Sequence, residues 1–94
     1  LKDAEQALQS ALNIHTEFNS SLGQGNALYE LGKLCTTQHR FSKAENFLTR
    51  AKDAYRRAQE PQSQKYIQDL LEDLHQKREE QPDVAEEDSG DGDN

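Results

Sequence analysis

Residues Ala27 to Ala58, ALYELGKLCTTQHRFSKAENFLTRAKDAYRRA, read as two amphipathic helices joined by a short polar turn. In the first half, Ala27, Leu28, Leu31, Leu34 and Cys35 fall at i, i+4 and i+7, so they share one helix face. Gly32 lies on that face. A glycine inside a helix costs about 1 kcal/mol against alanine, so its presence implies a neighbouring backbone too close for a Cβ. The second half repeats the pattern with Phe41, Ala44, Leu48, Ala51, Tyr55 and Ala58, and alanines at seven-residue intervals suit a close approach between helices. Ser42 followed by Glu45 has capping-box spacing and predicts a helix start nearby.

The flanking sequence repeats these helices. LKDAEQALQSALNI aligns with FSKAENFLTRAKDA forty residues later: Leu1 with Phe41, Ala4 with Ala44, Glu5 with Glu45, Leu8 with Leu48, Ala11 with Ala51, Ile14 with Ala54. Toward the C-terminus, SQKYIQDLLEDLHQKREE sets Ile67 on Ala27, Leu71 on Leu31 and Leu74 on Leu34 at the same offset. There Glu72 replaces Gly32 and Gln68 replaces Leu28, as expected of a capping helix with one face turned to water. TEFNSS, residues 16–21, is expected to connect the first two helices, with Phe18 as a plug between units. Ser21 and Gln24 again have capping-box spacing, and Pro61 either ends the third helix or opens the fourth.

The string Leu28-x-x-Leu31-Gly32-x-x-Cys35, followed by Ala44, Leu48 and Ala51, resembles one tetratricopeptide repeat. Leu28 stands where that family commonly has an aromatic, Cys35 where it has Tyr, His39 where it has the turn glycine, and no proline closes the unit. Leucine and cysteine keep the site apolar, and histidine is among the residues that tolerate positive φ. Glu17-x-Asn19-x-x-x-Gly23-x-Gly25 resembles the longer, forty-residue variety found in cell-polarity scaffolds and large fungal signalling receptors.

The resemblance implies an all-α fold of antiparallel helix hairpins stacked as a right-handed superhelix. A plain four-helix bundle is the alternative, and the forty-residue offset favours the stack. Residues 1–16 would be the second helix of a truncated upstream repeat, 21–58 a complete helix pair, 63–80 a capping helix and 81–94 a disordered acidic tail. Gly32, Ala44, Leu48 and Ala51 would carry the packing between helices. Carried over by position, the concave partner-binding face would present Asn26, Tyr29, Lys33, Thr36 and Thr37. Glu30 stands where a carboxylate clamp would need Asn or Arg, so a chaperone-tail receptor is not expected.

Composition agrees with a stack. The 94 residues are 32% hydrophobic, with three Phe, three Tyr and neither Trp nor Met, too little for one generous core. One cysteine permits no internal disulfide, and on an apolar helix face Cys35 reads as a small core residue. The absence of an 18-residue apolar run and of a charged-then-apolar leader predicts a cytoplasmic protein with no membrane contact. The net charge of −7 is unevenly spread: residues 79–94 hold eight acids and no base, whereas residues 1–78 hold eleven bases and ten acids. Asp88-Ser89-Gly90-Asp91-Gly92-Asp93 alternates oxygen ligands but lacks the length and the closing Glu of an EF-hand loop.

Catalysis finds little support. His15, His39 and His75 lie on separate segments without a second ligand at metal spacing, and Gly23-Gln24-Gly25 lacks a phosphate-loop context. No enzyme activity, cofactor or metal is expected. Arg40, Lys43, Arg50, Lys52, Arg56 and Arg57 crowd the third helix against only Glu45 and Asp53. They read as a solvated face, or as a patch for an acidic peptide or for the chain's own tail; without interleaved aromatics they are weak for nucleic acid. The expected function is a scaffold that binds a peptide or helix of a partner protein, with no small-molecule substrate. The alternative is self-association through the exposed stripe of the helix that carries Gly32.

Overall fold

The computed structural model describes residues 2–81, with side chains from residue 3 onward. Four helices follow one another: α1 Lys2–Glu17, α2 Ser21–Thr37, α3 Phe41–Arg57 and α4 Pro61–Glu80. The acidic tail beyond Gln81, with its alternating Asp run, lies outside the described residues.

Three turns of one design join the helices. Each spans three residues, and the middle one takes positive φ: Asn19 at 56°, His39 at 60° and Gln59 at 59°. The next N–H reaches back to the carbonyl five residues earlier: Ser20 to His15 at 2.8 Å, Arg40 to Cys35 at 2.9 Å, and Glu60 to Tyr55 at 2.9 Å. This is the Schellman ending, which satisfies carbonyls that a helix terminus would otherwise leave bare. The positive φ allowed for at His39 is present. Asn19 and Gln59 meet the same need, which the sequence reading did not assign to them.

Several boundaries differ from expectation. TEFNSS is not all linker: α1 continues through Glu17 and only Phe18, Asn19 and Ser20 turn. The cap of α2 is Ser20, not Ser21; its Oγ accepts from the Gly23 N–H at 3.1 Å. Ser42 is not a cap. Arg40 precedes α3 without a side-chain cap bond, and Glu45 turns instead toward α4. Pro61 opens α4, where its missing N–H costs nothing.

Packing runs between consecutive helices, α1 on α2, α2 on α3 and α3 on α4. The end helices α1 and α4 share no comparable packing, so the bundle around one shared centre gives way to hairpins stacked in file. The core is a continuous strip: Leu28, Leu31 and Cys35 of α2, Phe41, Ala44, Leu48, Ala51, Ala54 and Tyr55 of α3, and Ile67, Leu71 and Leu74 of α4. α1 adds Leu12, with Leu8 partly buried against the strip. Gly32 meets α3, but the close atoms belong to a side chain and not to the neighbouring backbone that the sequence implied. A Cβ there would stand 2.6 Å from Leu48 Cδ2 and 3.6 Å from the Ala44 carbonyl oxygen. Phe18 is no plug. Among the described residues it is 75% exposed.

Candidate partner-binding groove

α2 and α4 are both antiparallel to α3, so they run in the same direction over it. Between them opens a cleft of about 410 Å³. Lys33, Thr36 and Thr37 come from α2, Leu48 from α3, and Leu70, Asp73, Leu74 and Lys77 from α4. The spacing is helical on both walls, three or four residues apart, which sets these side chains one turn above another. Leu48, Leu70 and Leu74 give the cleft an aliphatic base.

The polar groups of the walls are partly engaged. The Thr36 hydroxyl donates to the Gly32 carbonyl at 2.9 Å and that of Thr37 to the Lys33 carbonyl at 3.1 Å. With those protons bound to the helix backbone, both threonines can offer a ligand only methyl groups and acceptor lone pairs. Lys33 Nζ lies 3.4 Å from Glu30 and 4.9 Å from the Tyr29 ring centroid. The Glu30 charge, then the Tyr29 phenol, raise the Lys33 pKa, so its cation is secure at neutral pH. Lys77 Nζ lies 3.7 Å from Asp73. Exposed pairs of this kind are screened by water and hold their partners weakly, so an incoming carboxylate can exchange with either acid.

One turn from Lys33 and Leu70, two tyrosines bridge α2 and α4. The Tyr29 and Tyr66 hydroxyls are 3.2 Å apart, and their rings meet edge-to-face at 5.7 Å. That hydrogen bond, followed by burial, raises the Tyr29 pKa. Tyr55 donates its hydroxyl proton to Asn26 Oδ1 at 2.6 Å, and burial raises its pKa in turn. Gly25 makes room for this ring: a Cβ there would lie 2.8 Å from two Tyr55 carbons.

Of the five groove positions carried over by sequence, Lys33, Thr36 and Thr37 line the cleft. Tyr29 stands beside Tyr66, while the Asn26 oxygen is already engaged by Tyr55. The reading overlooked the α4 wall. The forty-residue offset could have found much of it, since Asn26, Lys33 and Thr37 map onto Tyr66, Asp73 and Lys77.

The basic residues of α3 turn to different neighbours. Arg56 and Arg57 both pair with Asp53, and Arg57 also donates to Gln24 Oε1 at 2.9 Å. Lys52 turns the other way and bonds Gln68 on α4. Arg50 lies over the Phe47 ring at 5.9 Å, and with Lys43 and Gln9 it edges a shallow depression between α1 and α3. Arg40, the remaining member, precedes α3 at its N-terminus.

The three histidines stay apart. His15 packs where a Gly23 side chain would stand, His39 meets the Phe41 ring at 5.3 Å, and His75 Nε2 lies 2.9 Å from Glu45 Oε2. Arg78 joins the last pair, bonding Glu45 and also Ser42 Oγ at 3.2 Å, which clasps α4 to the start of α3. The hydrogen bond to His75 is the main reason the Glu45 carboxyl is held below the usual carboxylate range. Among the described residues no group of three or more His, Cys, Asp or Glu could hold a metal ion, and no helix is long and apolar enough to cross a membrane.

A family model described as tetratricopeptide repeat matches residues 1–57. No curated protein and no solved structure matches the chain.

Proposed function

Because the chain belongs to the tetratricopeptide repeat family, whose members serve in general as protein-interaction scaffolds, we propose that it holds a peptide or helix of a partner protein in the groove between α2 and α4. The observation that carries this reading is the cleft itself: an aliphatic base of Leu48, Leu70 and Leu74 between two lysine-bearing rims. A leucine-lined depression of this size takes one or two aliphatic side chains, and Lys33 and Lys77 favour a carboxylate beside them. Tyr29, with Tyr66 against it, supplies a rigid amphipathic contact further along. Asn26 acts indirectly by fixing Tyr55.

The role is binding without chemistry, in an intracellular setting. The titratable groups that line the cleft, Lys33, Asp73 and Lys77, are engaged in exposed ion pairs, Lys33 with Glu30 and Lys77 with Asp73. Nucleic acid is disfavoured because the α3 cations diverge and two of them, Arg56 and Arg57, share the single carboxylate of Asp53.

Peptides selected from a random library on the wild-type chain provide the test. Binding should fall at least tenfold with Thr36→Arg, which fills the cleft, and with Lys33→Glu, which reverses one rim, while Asn46→Ala on the opposite side leaves it unchanged. Selected peptides that bind all four proteins equally would remove the groove from consideration.

A further inference from the structure

The α2–α4 cleft has a segment of this same chain within reach. α4 outruns α2: at the forty-residue offset Thr37 corresponds to Lys77, and Arg78, Glu79 and Glu80 continue for nearly one turn more. The chain then leaves α4 at Gln81 in an extended conformation, φ −137° and ψ 113°, as a residue before proline favours. Pro82-Asp83-Val84-Ala85-Glu86-Glu87-Asp88 follows. Val84 is the one branched aliphatic residue after Gln81, and carboxylates flank it on both sides. A leucine base between two lysines is the complement of that pattern.

Resting on the reading of the groove as a peptide site, we infer that residues 83–87 of the chain itself fold back into the cleft and hold it against other ligands. Reach and register carry the choice of occupant. Along the α4 axis, at 1.5 Å per residue, Lys77 lies about 6 Å back from Gln81, Leu74 about 10 Å, and Asp73, level with Lys33, about 12 Å. An extended chain advances about 3.3 Å per residue, so Asp83 spans about 7 Å, Val84 about 10 Å and Glu87 about 20 Å. Asp83 therefore comes to Lys77 and Val84 to the leucine base at Leu74, and Glu87 has length to spare for crossing to Lys33 on the α2 wall. Strand alternation agrees: with Val84 turned to the base, Asp83 and Glu87 both turn to the rims.

Charge points the same way. Lys33, Lys77 and Asp73 line the cleft, Glu30 stands beside Lys33, and Arg40 lies in the turn beyond Thr37, whereas residues 82–94 hold six acids and no base. Glu79 and Glu80, on the last turn of α4, precede the fold-back and oppose it, so the contact is a weak one. Tethering offsets that weakness, because a segment joined this closely to its site is present there at an effective concentration of about 1 mM. A contact of millimolar strength is then half formed, and an outside peptide binds with about twofold lower apparent affinity.

Amide NMR of the full chain, compared with a full-length variant carrying Asp83→Asn, Val84→Ser and Glu87→Gln, tests the contact. The amides of Thr36, Thr37, Leu74 and Lys77 should differ between the two proteins, by the same amount at every protein concentration and by less as salt rises. A library peptide that fills the cleft should bind the variant about twofold more tightly than the wild type. Identical cleft amides in the two proteins overturn the inference and leave the groove itself to the Thr36→Arg comparison. Differences that fall instead on Lys43 and Arg50, or that grow with protein concentration, overturn it by giving the segment to α3 or to a second copy. Differences at the cleft, with no peptide bound by either protein, would keep the segment in the cleft and remove the outside partner.

Discussion

The end of the Leu48 side chain occupies the space that a side chain at Gly32 would need. A Cβ on Gly32 would stand 2.6 Å from Leu48 Cδ2 and 2.7 Å from its Cγ, both closer than carbon atoms approach. Leu48 is itself almost fully buried, and giving way would require its Cγ to move as well as its Cδ2. Two effects compete in Gly32→Ala. Helix propensity favours alanine by about 1 kcal/mol, and overpacking of a filled core costs about 1–3 kcal/mol. Because the obstructing atoms belong to an enclosed side chain, overpacking prevails, and the variant should lose about 1 kcal/mol in urea denaturation. Leu48→Ala opens the space, so Gly32→Ala should become stabilising in that background. Additive changes in the double variant would show that the two residues do not compete for the same volume.

How much of this was legible beforehand depends on the kind of signal each residue carries. Gly32, Ala44 and Ala51 announced a close helix approach because a small residue on an apolar face has few other reasons to be there. The repeat offset gave the order of the helices. Phe18 misled because an aromatic between helices suggests burial, yet the neighbours that would enclose it are absent among the described residues. Ser42 and Glu45 have cap spacing, but Glu45 finds better partners in His75 and Arg78, some thirty residues further along and invisible to a local motif. The groove was half legible: the α2 wall followed from the family resemblance, whereas the α4 wall needed the same offset applied once more.

The turns give a graded prediction. Gln59 holds φ at 59°, a conformation that costs a side-chain-bearing residue about 1 kcal/mol relative to glycine, whereas asparagine at Asn19 tolerates it better. Gln59→Gly should therefore raise the midpoint of thermal unfolding slightly and stabilise by at most about 0.5 kcal/mol, after allowing for the larger entropy glycine gives the unfolded chain. Asn19→Gly should change little. Equal gains at the two turns would contradict the assignment of strain to Gln59.

Acid should loosen the clasp between α3 and α4. The Glu45 carboxyl is held below its ordinary range, chiefly by the hydrogen bond to His75, with Arg78 beside it. A carboxyl whose folded-state pKa is depressed stabilises the fold fully above its unfolded-state value. That contribution drains away as pH falls through the folded-state value. Wild type should thus exceed Glu45→Gln in stability at neutral pH, by no more than about 1 kcal/mol because the group is partly exposed. The two curves should converge in acid. A difference that stays constant down to the acid limit would mean that the carboxylate charge plays no part in holding α4.

The link between Tyr55 and Asn26 tests whether the groove is held from beneath. Tyr55 is buried and its hydroxyl donates to Asn26 Oδ1 on α2, across the space that Gly25 leaves open. Tyr55→Phe keeps the ring in that space and removes only the hydroxyl. The loss should be about 1 kcal/mol, the net contribution of one such hydrogen bond. Asn26→Ala removes the acceptor and leaves the Tyr55 hydroxyl seeking another, so it should cost at least as much, and the double variant little more than Asn26→Ala alone. Groove binding separates this account from simple stability. If Asn26 serves by fixing Tyr55, both single variants should weaken peptide binding by a similar modest factor. If Asn26 touches the ligand directly, Asn26→Ala should weaken it and Tyr55→Phe should not.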